Sequence, residues 1–154
     1  MLYATLFVIV LILLIIAYAI YKKRNNAISF EDSFYKTGMP VISLYNDAYK
    51  LNFLVDTGSD ACYINQRTLK YLHYTESSKK SINISSNGAQ ELKSIFLPLD
   101  FGNSIIRVHM YTIDLSASFD EIKEHDGIEI HGILGSEFCR EAKFVVDFNK
   151  LTIR

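Results

Sequence analysis

Two cysteines, Cys62 and Cys139, are all that the 154 residues contain. They are too few for a disulfide framework in a chain of this size, so free thiols in a reducing compartment are expected. A single bond between them stays open, because sequence does not reveal their separation. The chain also lacks a charge excess, with a formal net charge of −1. Positions 25 to 154 hold 13 Lys and Arg against 17 Asp and Glu, with no basic run. That balance argues against nucleic acid as a partner. Internal repeats and low-complexity tracts are missing as well, which leaves room for about one ordinary globular domain.

Charge is wholly absent from Met1 to Tyr21, where only Thr5 falls outside the apolar set. The other 133 residues carry all 33 charged side chains, about 25%, the usual share for a soluble domain. At 1.5 Å per residue, 21 helical residues reach roughly 31 Å, the thickness of a hydrocarbon core. The run is long for a signal-peptide core, no basic residue precedes it and no A-x-A-like site follows it, so a retained anchor is expected rather than a cleaved leader. Lys22, Lys23 and Arg24 follow it directly, and the positive-inside rule then places the soluble part in the cytosol. The expectation is a single-pass protein of the cell membrane, with a transmembrane helix over 1–21, a basic flank and tether over 22–38, and one domain over 39–154.

Within that domain, 40–45 and 49–55 are β-rich runs separated by Asn46-Asp47-Ala48, which predicts a hairpin. Asn65 is placed to cap a short helix over 66–72, and 81–85 alternates as a strand. Asn87-Gly88 is the strongest turn dipeptide in the chain. Extended runs over 91–100 and 105–114 predict a second hairpin. One or two helical turns follow at 118–124, an extended piece at 128–134, a short helix from Ser136 to about Ala142, and strands over 143–148 and 151–153. Many short strands with one or two short helices predict a small, mostly β, closed barrel-like domain.

The chemistry concentrates in Phe53-Leu54-Val55-Asp56-Thr57-Gly58-Ser59, an apolar strand running straight into a carboxylate and a glycine. A strand buried enough to be Phe-Leu-Val does not normally end on an acid unless turn chemistry or function requires it. Asp, Gly and Ser also form plain turns. Further along, His131-Gly132-Ile133-Leu134-Gly135 leads into a helix start at Ser136-Glu137-Phe138.

In this order the two elements resemble the retropepsin-like aspartic proteases, the group of the retroviral proteases and their single-domain bacterial relatives. The resemblance runs from about Pro40 to Ile153, and Val145-Val146-Asp147-Phe148 turning into Leu151-Thr152-Ile153 completes it. It implies an endopeptidase in which two Asp loops face each other and their carboxylates hold one water. This chain has a single Asp-Thr-Gly, so the resemblance implies a homodimer with one Asp56 from each subunit, and shared anchoring in one bilayer would raise the effective concentration of the two halves. Thr57 is then expected to hydrogen-bond across the dimer, Gly58 to let backbone approach the substrate, Ser59 to bond the carboxylate from outside, and Gly135 to pack behind the Asp56 loop. Ile133 and Leu134 belong to that supporting element. The substrate would be a polypeptide, covered by a hairpin flap for which Ser85 to Gln90, with Asn87 and Gly88 at its tip, is the candidate. Asp60 matches an acidic position whose partner in retroviral enzymes is an Arg just after the Gly. Here that place holds Ser136, with Arg140 as the substitute one turn on.

No cofactor or metal is expected. His125, Asp126, Glu129 and His131 are the densest group of possible ligands, but their spacing fits no helical pair. Cys62 reads as a small buried residue, since no His arrangement marks a base for it. Asn83-Ile84-Ser85 satisfies the glycosylation sequon, which the expected cytosolic side leaves unused. The alternative to an enzyme is the same fold kept as a non-catalytic dimerisation or peptide-binding module.

Overall fold

Strand alternation dictates the core. In the run Tyr49–Val55, every second residue from Leu51 through Phe53 to Val55 is buried, and the same holds for Ile42 and Leu44 in the preceding run. The two runs, β2 (Val41–Asn46) and β3 (Tyr49–Val55), form the expected hairpin, with Asp47 at φ 53° in its two-residue turn. The computed structural model of the chain describes residues 2–24, 27–85, 88–102 and 104–154, and the side chains of 7–18, 27–79, 91–102 and 104–154.

A seven-stranded sheet carries most of the domain. Its remaining strands are β4 (Tyr63–Asn65), β5 (Thr75–Ser85), β6 (Gly88–Asp100), β7 (Ile105–Ile113) and β8 (Gly132–Leu134), in the order β2-β3-β8-β4-β7-β6-β5. Tyr45 of β2 also pairs with Asp100 of β6, so the sheet curls back on itself as a barrel-like layer around Ile42, Leu44, Phe53, Ile64, Leu97, Leu99, Met110 and Leu134, all fully buried. The mostly β expectation holds.

Chain segments before position 39 belong to this unit. A short strand β1 (Ile28–Ser29) pairs with β10 (Thr152–Ile153), which pairs on its other edge with β9 (Val146–Asp147). Helix α2 (Glu31–Thr37) follows β1 and ends on Gly38 at φ 72°, whose N–H donates to the Phe34 carbonyl. Phe30, 2% exposed, enters the main core, and the Ser33 hydroxyl bridges Phe30, Met39 and Val41. Helix α3 (Ser116–Asp126) lies over the outer face of the sheet. Its Phe119 forms a second apolar cluster with Val41 and Ile130, against which Leu54, Ile122 and Ile133 pack. Helix α4 (Ser136–Glu141) starts directly after Gly135.

The amino-terminal expectation is corrected. Helix α1 spans Leu2–Arg24. Among the described residues no helix is long and apolar enough to cross a membrane. The spanning anchor, the membrane localisation and the cytosolic orientation drawn from them are therefore withdrawn.

Candidate active site

Asp56 is the first residue beyond β3, and two elements fix it from behind. Strand β3 runs parallel to β8, with Val55 opposite Leu134, and the Asp56 N–H donates to the Leu134 carbonyl at 3.0 Å. The turn itself closes when the Ser59 N–H donates to the Asp56 carbonyl at 3.1 Å. Within it the Gly58 N–H donates to Asp56 Oδ1 at 2.9 Å. One carboxylate oxygen is thus oriented by backbone, in an Asx-type bond that this residue type favours. The side chain is half-buried, while Thr57 and Gly58 are exposed. The Thr57 hydroxyl has no hydrogen-bond partner among the described residues of its own chain.

Glycine 135 sets how closely the supporting element approaches. A Cβ there would collide with the Ala61 carbonyl oxygen and lie 2.8 Å from both Ala61 C and Ser59 O. Its own φ of −83° suits any residue, so the exclusion is steric and not conformational. The contact lets the first N–H groups of α4 cap the loop, Ser136 N–H donating to the Ser59 carbonyl at 2.7 Å and Glu137 N–H to that of Asp60 at 3.1 Å. Gly132 behaves likewise, since a Cβ would strike the Tyr63 carbonyl oxygen and approach Phe53 Cε1 to 2.9 Å.

The predicted residues distribute unevenly. Asp56, Thr57, Gly58, Ser59 and Gly135 come together in this turn, with Leu134 buried directly behind. Ile133 alternates to the other face, where it pairs with Leu54 and Tyr63. The Ser59 hydroxyl differs from expectation: it donates to the Ala61 carbonyl at 2.9 Å and so stiffens the loop, without bonding the carboxylate. Asp60 is exposed, and among the described residues it makes no ion pair with Arg140. Asn87 lies outside the described residues. Gly88 opens β6 opposite Ser85, so the segment proposed as a flap falls at the tip of the β5–β6 hairpin.

Cysteine 62 is a support that sequence reasoning undervalued. Its Sγ accepts the Gly135 N–H at 3.4 Å in a buried position, and burial pushes the thiol pKa up to about 11. It is a packed acceptor behind the loop and no nucleophile. His131 is half-buried with Nδ1 accepting the Asn52 N–H at 3.0 Å, and burial lowers its pKa. Cavities of about 380 and 250 Å³ lie beside the 3₁₀ turn Gln66–Tyr71, and neither is lined by Asp56. Among the described residues no group of three or more His, Cys, Asp or Glu side chains is placed to hold a metal ion.

Comparison with known proteins agrees with this geometry. A family profile described as aspartyl protease matches residues 42–138. No curated protein matches the sequence. Among solved structures, the chain is similar to the retroviral protease-like domain of Ddi1 from Leishmania major, at 12% identity and a TM-score of 0.50 over 75% of this chain and 86% of that one. It is also similar to a retropepsin-like aspartic protease from Rickettsia conorii, at 18% identity and a TM-score of 0.50 over 83% of this chain and 96% of that one. At such identities the likeness concerns the fold.

Proposed function

Since the chain belongs to the aspartyl protease family and its β domain has the retropepsin-like fold, we propose that it is an endopeptidase whose active unit is a homodimer with two Asp56 carboxylates, one per subunit. The observation that carries the reading is the Asp56 turn itself. A half-exposed carboxylate is oriented by the Gly58 N–H and backed by β8 and α4. One Asp-Thr-Gly per chain and an exposed Thr57 whose hydroxyl has no partner among the described residues leave both the acid pair and the loop contacts to be completed by a second copy.

Two carboxylates at close range cannot both ionise easily, so the pair shares one proton, as aspartic protease dyads do. The ionised member takes a proton from water as the hydroxide attacks the carbonyl carbon of an extended polypeptide. The protonated member gives its proton to the carbonyl oxygen, and collapse of the tetrahedral species returns a proton to the departing amine. Gly58, without a side chain, leaves backbone open to the substrate strand, and the β5–β6 hairpin supplies the covering element.

The test is cleavage of a broad peptide library by the full chain at mildly acidic pH. Asp56→Asn keeps the size and the Gly58 contact but cannot share a proton, and activity is expected to fall by about 10²–10⁴ or more. Sedimentation of both proteins must show dimers. If wild type and variant are folded dimers and equally inert, the peptidase reading fails. Peptide binding that survives the substitution would then identify a binding module.

A further inference from the structure

Two tyrosine rings stay open at the opposite end of β3 from Asp56. Tyr49 begins β3 and is 50% exposed, Tyr71 ends the 3₁₀ turn Gln66–Tyr71 and is 51% exposed, and their ring centroids are 5.9 Å apart. Asp56 follows seven residues after Tyr49, roughly 23 Å away at strand spacing. The rings line the cavity of about 250 Å³ together with Lys50, Lys70 and His131. Most charges around it cancel in pairs. Arg67 is held by Asp120, Lys123 by Glu129, and Asp47 of the β2–β3 turn meets His73. Lys70 lies over the Tyr71 ring at 4.6 Å. Neither Lys70 nor Lys50 meets a carboxylate among the described residues. Two positive charges are thus left beside an aromatic pair, although residues 25 to 154 carry four more acidic than basic side chains. His131 adds a fixed donor: its Nδ1 accepts the Asn52 N–H at 3.0 Å, so the neutral ring carries its proton on Nε2. That N–H has no partner among the described residues.

We infer that this cavity is a docking site for an acidic polypeptide segment anchored by one aromatic side chain, separate from the Asp56 turn. The anchor ring packs on Tyr49 and Tyr71, the flanking Glu or Asp carboxylates meet Lys50 and Lys70, and a main-chain carbonyl of the segment accepts from His131 Nε2–H. The volume lies below the roughly 300–1,000 Å³ of pockets that enclose a whole small molecule. One side chain therefore enters while its neighbours lie on the charged rim, as at the anchor positions of protein interfaces. The two tyrosines already touch each other, which leaves no slot between them for a nucleobase, and the acidic balance of the domain repels a phosphate backbone. A two-fold dimer carries the site once per subunit. No atom of the Asp56 turn takes part, so the inference does not depend on the peptidase reading.

The test is fluorescence anisotropy of the full chain, wild type and Asp56→Asn, with a short labelled peptide in which one Phe is flanked by Glu residues. Saturable binding of equal strength to both proteins is expected. Exchanging the Glu residues for Gln, or the Phe for Ala, should weaken it by about 5–30-fold. Tyr71→Ala should do the same, as should Lys50→Gln combined with Lys70→Gln, two exposed changes that leave the fold intact. Tyr49→Phe and Tyr71→Phe keep the rings and should bind as wild type. Lys93→Gln removes the same charge beside the cavity on the other side of the 3₁₀ turn and should also bind as wild type. Equal binding of the Gln or Ala peptides, retention of affinity in the Tyr71→Ala and lysine variants, or an equal loss in Lys93→Gln overturns the proposal. So does displacement of the peptide by a single-stranded oligonucleotide in preference to unlabelled peptide. Binding lost in Asp56→Asn would put the peptide at the active site and overturn it as well. Cleavage is measured separately: an inert wild type that binds the peptide keeps the site and removes the enzyme, and a peptidase that ignores the peptide does the reverse.

Discussion

Replacing Gly135 by Ala tests the packing on which the Asp56 turn depends. The backbone at φ −83°, ψ −179° accepts alanine without strain, and the loss of glycine freedom in the unfolded chain would by itself stabilise by about 0.4–1 kcal/mol. Against that, the new methyl would overlap the Ala61 carbonyl oxygen and sit 2.8 Å from Ala61 C and Ser59 O, where ordinary contact begins at 3.4 Å. All three are backbone atoms of the turn, so they cannot swing aside as a flexible side chain would. Such overpacking costs about 1–3 kcal/mol. Moving the turn also strains the bonds from Ser136 N–H to Ser59 O, Glu137 N–H to Asp60 O and Ser59 Oγ to Ala61 O, each worth about 1 kcal/mol. The net expectation is a loss of about 3 kcal/mol, or roughly 10 °C in Tm by circular dichroism. Measured well below that Tm, peptide cleavage should still drop by roughly 10–100-fold, because displacement of the carboxylate by a large fraction of an ångström is enough. A variant with a Tm within about 2 °C of wild type and unchanged kcat/KM would refute the close approach of β8 and α4 to the turn.

Two further measurements address groups around the site. His131 has its pKa lowered by burial, so the folded state binds fewer protons than the unfolded chain as pH falls below the ordinary value of about 6.5. Its contribution to stability is present above that pH and lost through the window below it; urea titrations should show stability falling there, with a shallower slope for His131→Gln, and an unchanged slope would contradict the buried, neutral imidazole. Cys62, at 2% exposure and with its pKa raised to about 11, should resist a thiol reagent in the native protein and react on unfolding, as mass spectrometry of the labelled peptides would show; labelling of native Cys62 at the rate of a free thiol would contradict its place behind the turn.

Local chemistry made some elements legible. The β2–β3 hairpin follows from alternation around a turn, and the Asn65 cap is where its side chain accepts the Arg67 N–H. Other elements were obscured for identifiable reasons. Helix α2 is too short for a helical period to stand out, and it is held by Ser33 bridges and by burial of Phe30 next to it. The first half of β5, Thr75 to Lys80, is polar and owes its strand form to pairing with β6. Over 143–148 only Val146–Asp147 is strand, because Lys143 takes φ 55° after α4. The expected anchor follows from a count of apolar residues alone, whereas no helix among the described residues is long and apolar enough to cross a membrane.

The mostly β class, the single Asp-Thr-Gly-Ser turn and its likeness to the retropepsin-like proteases are legible in the order of residues, because a strand ending in an acid and a glycine is a short-range pattern. Tertiary structure alone decided what stands behind and beside that turn. Gly135 meets Ala61 and Ser59, the Ser59 hydroxyl turns to a carbonyl, Cys62 accepts from Gly135, and Tyr63 pairs with Tyr111. These partners are far apart along the chain or depend on loop geometry, and they meet only once β3, β8, β4 and β7 lie side by side. Cross-strand register, which no local run of residues specifies, sets which side chains meet.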